Sequence, residues 1–188
     1  MVVERATSYR PFSQTIFRMP ENITIKNEFA SVTLSPEAGA SLRSIEVNKN
    51  GKSYELLSGG DNSHDPTVLP HGEGSFIMAP WVNRIRDGRL VPPDGIHELP
   101  MNAPSHAIHG NVRERVWTVK ELNESSVELE IKLEEPWPYE GHIEYSLAVE
   151  GNSLVQTMRL VAGENETRSF PGSVGWHPWF NLSRESEL

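Results

Sequence analysis

Hydrophobic alternation with a period of two runs through the second half of this chain and favours strands over helices. In residues 126–134, Val127, Leu129, Ile131 and Leu133 point one way while Glu128, Glu130 and Lys132 point the other. That is the pattern of a strand with one buried and one solvated face. Residues 143–150 repeat it, with Ile143, Tyr145, Leu147 and Val149 inward and Glu144, Ser146 and Glu150 outward. Glu150-Gly-Asn-Ser153 then supplies a hairpin turn. In the returning strand, Leu154, Gln156, Met158 and Leu160 form one face and Val155, Thr157, Arg159 and Val161 the other. Apolar residues on both faces predict a central strand covered from two sides.

Further strands are predicted at residues 23–26, 31–34, 42–47, 54–57, 95–99 and 116–122. Fourteen glycines and fourteen prolines punctuate these segments, which suits many turns and opposes long helices. No amphipathic helix, repeat, low-complexity tract or linker stands out, so residues 1–188 read as one all-β domain, a sandwich or barrel of short antiparallel strands. Two stretches, 59–74 and 80–109, resist the strand reading. Loops of that size in a compact domain are commonly functional, so the chemistry is expected there.

Charge and composition narrow the partners. Twenty-six acidic residues against seventeen basic ones give a net charge of -9, with no Lys/Arg run to neutralise phosphates. Nucleic acid and anionic membranes are therefore not expected partners. Cysteine is absent, which removes disulfides, thiolate nucleophiles and Cys-based zinc sites. No apolar run approaches the ~20 residues that span a bilayer, and the start lacks the apolar core of a signal peptide. The expected compartment is the cytoplasm.

Gly172-Ser-Val-Gly-Trp-His-Pro-Trp-Phe-Asn181 sets one histidine among aromatic rings. A histidine exchanges a proton near neutral pH, and Trp176, Trp179 and Phe180 offer the flat apolar surface a sugar ring prefers. Asn83 and Arg84 stand side by side in a turn-rich loop. An amide with a guanidinium fork suits pairs of hydroxyls, though an arginine also pins loops by bonding carbonyls. His106 and His109 are three apart, a spacing that on a strand sends them to opposite faces, so metal chelation is not expected and no metal is implied. One of them, most simply His109 beside Gly110, reads either as a ligand hydrogen-bonder or as a satisfied histidine. His64 and His71 carry little signal, His97 and His142 read as ordinary partly exposed residues, and Trp81, Trp117 and Trp137 as packing.

Five segments, in order, resemble the aldose 1-epimerase family of galactose mutarotase-like proteins. They are Gly39-Ala-Ser-Leu-Arg-Ser44, Asn83-Arg84-Ile85 followed by Gly88, His109-Gly110, Trp137-Pro-Tyr-Glu-Gly141, and His177-Pro178-Trp179-Phe180-Asn181-Leu182. Ala79-Pro-Trp-Val-Asn-Arg and His109-Gly-Asn-Val-Arg-Glu-Arg-Val-Trp117 look most like a bacterial subgroup. The resemblance covers residues 35–182 and implies the family's antiparallel β-sandwich, the galactose mutarotase-like supersandwich.

It also implies interconversion of the α and β anomers of a free aldose, a hexose such as glucose or galactose, with no cofactor. By resemblance His177 is the general acid, His109 a second histidine near the ring oxygen, and Asn83 with Arg84 the sugar-binding pair, with Trp179 beside them. The family's general base, a glutamate, and an aspartate on sugar hydroxyls lie on strands well after the His-Pro motif. The sequence stops at Leu188, and Glu185 and Glu187 follow His177 too closely to replace them. A sandwich incomplete at its C-terminal side is therefore expected. Such a chain would be a weak or inactive mutarotase, or else a non-catalytic carbohydrate-binding or self-associating fragment whose homo-oligomer covers the open sheet.

Overall fold

The structure is a computed structural model that describes residues 22–59 and 73–182. His64, His71, Glu185, Glu187 and most of the 59–74 stretch lie outside the described residues. The described part is built almost wholly from strands, with one 3-10 turn at Pro36–Ala38. In chain order the first strands are β1 (Ile23–Lys26), β2 (Ala30–Ser35), β3 (Ser41–Lys49), β4 (Lys52–Glu55) and β5 (Ser75–Met78). Short pieces follow, β6 (Arg84–Arg86), β7 (Arg89–Leu90), β8 (His97–Glu98) and β9 (His106–Ile108). Then come β10 (Thr118–Leu122), β11 (Ser126–Lys132), β12 (Gly141–Glu150), β13 (Ser153–Ala162) and β14 (Gly175–Pro178).

Two antiparallel sheets dominate. One runs β1-β2-β3-β5-β14, with β4 also pairing β3, and the other β10-β11-β12-β13. Their inner faces meet in a single apolar cluster, to which Ile25, Val32, Leu34 and Leu42 come from the first sheet and Val127, Leu129, Ile143, Tyr145 and Leu147 from the second. This is the β-sandwich expected from the alternation, and the predicted inward residues of β11 and β12 are the buried ones. Each such side chain contributes about 1.5–3 kcal/mol on burial. A one-residue slip would turn the whole set to solvent, so the register Leu129↔Tyr145 and Ile131↔Ile143 is strongly fixed. Trp81, Trp117 and Trp137 are all buried, as packing residues. Among the described residues no helix is long and apolar enough to cross a membrane.

Three expectations need correction. Strand β13 pairs only with β12 among the described strands and stands at a sheet edge. Its inner residues Leu154, Met158 and Leu160 are half-buried while Val155 is exposed, because apolar composition records what a face touches and not which strand lies beside it. The 80–109 stretch, expected to be loop apart from residues 95–99, folds as two small ladders, β6 with β9 and β7 with β8. Two or three residues are too few for alternation to register. Within 95–99 only His97–Glu98 is strand.

A polar and aromatic clasp fixes the approach to β14. The Tyr139 hydroxyl donates to Asp94 Oδ1 at 2.7 Å, and its ring stacks on Phe170 at 4.4 Å and 13°. The Arg168 guanidinium carbon lies over the Tyr139 ring, 4.7 Å from its centroid. It holds Glu166 through Nε at 2.9 Å and Nη2 at 2.7 Å, and also donates to the Pro138 carbonyl at 2.8 Å. Desolvation and the Asp94 hydrogen bond push the Tyr139 hydroxyl up to about 12. Hydrogen bonds from Arg168 and from backbone amides hold Glu166 down at about 2, against an ordinary 4.5.

The linkage is that of a depressed carboxylate. Its stabilisation is full above the unfolded value of 4.5 and is lost as pH falls towards 2. Arg168→Met should therefore lower the melting temperature most above that window, with the gap to wild type closing as pH falls through it. Thermal melts across the acid range check this, and a gap that stays constant would remove Glu166 as its source.

Candidate active site

The register between β5 and β14 places His177 directly opposite Phe76, and Trp176 opposite Ile77. Because side chains alternate across a strand, Phe76, His177 and, two residues on, Trp179 share one face. Ile77 and Trp176 turn the other way, onto the core. His177 stacks on Trp179 at 4.4 Å and 29° and on Phe76 at 4.8 Å and 17°. His109 meets His177 edge-on at 5.2 Å and 74°.

The backbone around the cluster is stitched on both sides. Trp179 N donates to Gly74 O at 2.9 Å, while the Trp179 carbonyl accepts from Ser58 N at 2.8 Å. Asn181, the last residue of the aromatic segment, donates its Nδ2 to the carbonyls of Glu55 and Leu57 at 3.2 and 2.8 Å. It is a clamp on the chain leaving β4. Upstream, Ser173 N donates to Pro80 O at 2.9 Å, and Val82 N to Ser173 Oγ at 3.0 Å. The loop carrying Asn83 and the segment carrying His177 are thereby held together.

His109 is delivered by an unusual stretch of backbone. It lies just beyond β9 with φ +64°, followed by Gly110 at φ +77°, both in the left-handed region that few side chains adopt. Its amide donates to Asn83 O at 2.9 Å, and Asn83 itself has φ +56°. Gly110 bridges Ala79 so closely that an added Cβ would lie 1.8 Å from the Ala79 carbonyl oxygen. Only glycine fits after His109, which explains the His-Gly pair. Arg84 opens β6 opposite Ile108 and donates from Nη1 to Asn83 Oδ1 at 3.2 Å. Both side chains are exposed.

Electrostatics favour a neutral His109. Burial is the largest cause of its lowered pKa, followed by the charges of His177, Arg113 and Arg84. Its Nδ1 is buried with no hydrogen-bond partner among the described residues.

Of the residues singled out from sequence, His177, His109 and Trp179 form one ring cluster, and Asn83 and Arg84 sit at its border through the His109 amide and the Arg84 charge. His106 stands on β9 opposite Arg86, away from the left-handed corner that carries His109. Two aromatic residues expected to offer apolar surface beside His177, Trp176 and Phe180, lie on the opposite side of the segment. Trp176 and Phe180 line a groove of about 310 Å³ with Leu42, Ile45 and Leu57, because strand alternation separates them from His177. Two residues went unread. Phe76 lies on a four-residue strand that shows no alternation, and Arg113 was visible only as a letter within the His109–Trp117 motif.

The antiparallel β-sandwich has the galactose mutarotase-like fold. The family model described as aldose 1-epimerase matches residues 21–188, and the chain belongs to that family. YihR of Escherichia coli K12, an uncharacterized protein, is 30% identical over 126 residues, 65% of this chain and 41% of YihR. A galactose mutarotase related enzyme from Lactobacillus acidophilus superposes with a TM-score of 0.68 at 20% identity, over 89% of this chain and 51% of that one. A GalM/aldose epimerase homologue from C. elegans gives 0.68 at 23%, over 86% and 50%. A galactose mutarotase-like protein from Clostridium acetobutylicum gives 0.69 at 22%, over 85% and 50%. The chain thus spans about half the length of these solved structures.

Proposed function

We propose that this protein binds a free aldose, a hexose such as glucose or galactose, and supplies the acid side of its anomer interconversion. The observation that carries this reading is the edge-on pair His109 and His177, 5.2 Å apart beside Arg84 and Asn83. Ring opening needs a proton delivered to the weakly basic ring oxygen, and a histidine is the side chain suited to that at neutral pH. His177 is the donor in this scheme. A neutral His109, next to the Arg84 and Arg113 charges, hydrogen-bonds near the ring oxygen without competing for the proton. Trp179 offers a flat apolar face to the sugar ring, and Asn83 with Arg84 takes hydroxyl pairs. The proton leaving the anomeric hydroxyl goes to a carboxylate base, for which the resemblance names a glutamate later in the family's sequence.

Polarimetry of freshly dissolved α-glucose and α-galactose, paired with saturation-transfer NMR for binding, tests the proposal. Saturable binding and relaxation faster than buffer alone are expected. Binding with a buffer-equal rate reduces the protein to a carbohydrate-binding module, and no binding of either sugar overturns the reading.

A further inference from the structure

Phe76 is the residue that every ring of the site touches. It stacks on His177 at 4.8 Å and 17°, tilts against Trp179 at 5.5 Å and 45°, and against His109 at 5.6 Å and 59°. It is buried in the floor of the cluster, at 5% exposure, and its Cα is the direct cross-strand partner of His177. A histidine that works by proton transfer is commonly oriented by a hydrogen bond to its second nitrogen. The buried Nδ1 of His109 has none among the described residues, and its imidazole is instead packed against the Phe76 and His177 rings.

Arg113 supports Phe76. Its guanidinium carbon lies 5.4 Å from the Phe76 centroid, within the range of a cation–π contact, and its side chain is only 15% exposed. The backbone at Arg113 is seated on Gly39, where an added Cβ would lie 2.0 Å from the Arg113 carbonyl oxygen. Gly39 N also donates to Arg115 O at 3.1 Å. The early Gly-Ala motif therefore reaches the site through Arg113 and Phe76.

We propose that Phe76, backed by Arg113, is the positioning residue that fixes the planes and spacing of the His177 and His109 imidazoles. This rests on the aldose reading for its kinetic consequence but not for its geometric one. Phe76→Leu keeps an apolar side chain at the position and removes the ring. A misplacement of about 1 Å at reacting groups can cost ~10²-fold, so kcat for anomer exchange should fall about 10- to 100-fold, with KM changed less than about twofold. Phe76→Tyr, which keeps the ring, should recover most of that loss. Independently of activity, the NOE between ring protons of His109 and His177, whose rings lie edge-on at 5.2 Å, should weaken in Phe76→Leu and persist in Phe76→Tyr. Arg113→Met should raise the titration midpoint of His109, since a cation is removed from beside it.

An unchanged inter-imidazole NOE and unchanged kcat in a folded Phe76→Leu protein would overturn the proposal. If wild type shows no anomer exchange while the inter-imidazole NOE responds as expected, the positioning role stands and the aldose reading falls. Should Phe76→Leu fail to fold, Phe76→Tyr and Arg113→Met decide. A Tyr variant with the wild-type inter-imidazole NOE and a Met variant in which that NOE weakens support the proposal, and a Met variant in which it is unchanged overturns it.

Discussion

If the proposed aldose reading holds, replacing His177 by alanine should slow anomer exchange by about 10² to 10⁴, the range general acid catalysis typically contributes. The expected loss falls on kcat, because Trp179, Asn83 and Arg84, the proposed sugar contacts, remain and a proton donated to the ring oxygen matters only as the ring bond breaks. Alanine alone would leave the result ambiguous. It empties the place beside Phe76 and Trp179, which lie 4.8 and 4.4 Å from the His177 centroid, and the remaining rings could shift into it. His177→Phe fills that place with a ring of similar width that carries no proton. Loss of rate in both variants, with saturable sugar binding kept in the Phe variant, assigns the loss to proton transfer. A Phe variant as fast as wild type would remove His177 from the chemistry and leave it as packing.

The sandwich was legible because its long strands obey the period-two rule for seven to ten residues, as β11 and β12 do, so burial could be read residue by residue. The strands that carry the site are shorter. β5 and β14 have four residues each and β6 and β9 three, and their partners are distant in sequence, with Phe76 opposite His177. Periodicity holds no information on such pairing. The site histidines could be found for another reason: each sits in a locally demanding context, a left-handed corner before an obligatory glycine or an aromatic segment pinned by Asn181. Phe76 and Arg113 had no such marker, since a buried phenylalanine and a half-buried arginine are ordinary in sequence and become informative only when four contacts converge. The misplacement of Trp176 and Phe180 has the same origin. Aromatic residues next to each other in an extended segment face opposite sides, so at most alternate ones can share a site.

Gly110→Ala is the substitution expected to damage the fold most per atom added. At φ +77° an L-residue carries a penalty of about 1–2 kcal/mol. The new methyl would lie 1.8 Å from the Ala79 carbonyl oxygen, 2.3 Å from its carbon and 2.7 Å from its nitrogen. All three are backbone atoms of a buried residue, and the same carbonyl accepts from Asn111 N at 3.0 Å, so neither side can yield without breaking a bond. Overpacking of this kind costs about 1–3 kcal/mol more. Together these make about 2–5 kcal/mol, a large part of the roughly 5–15 kcal/mol that holds a domain folded. The melting temperature should drop on the order of 10 °C. Gly51→Ala separates the two causes, because Gly51 has nearly the same φ, +73°, but nothing within 4 Å of its added Cβ. It should cost only the backbone penalty, about 1–2 kcal/mol. Equal losses in the two variants would mean that the approach to Ala79 is relieved by movement. In that case His109, one residue away, would be the group displaced, and its edge-on contact with His177 would be lost while the fold survived.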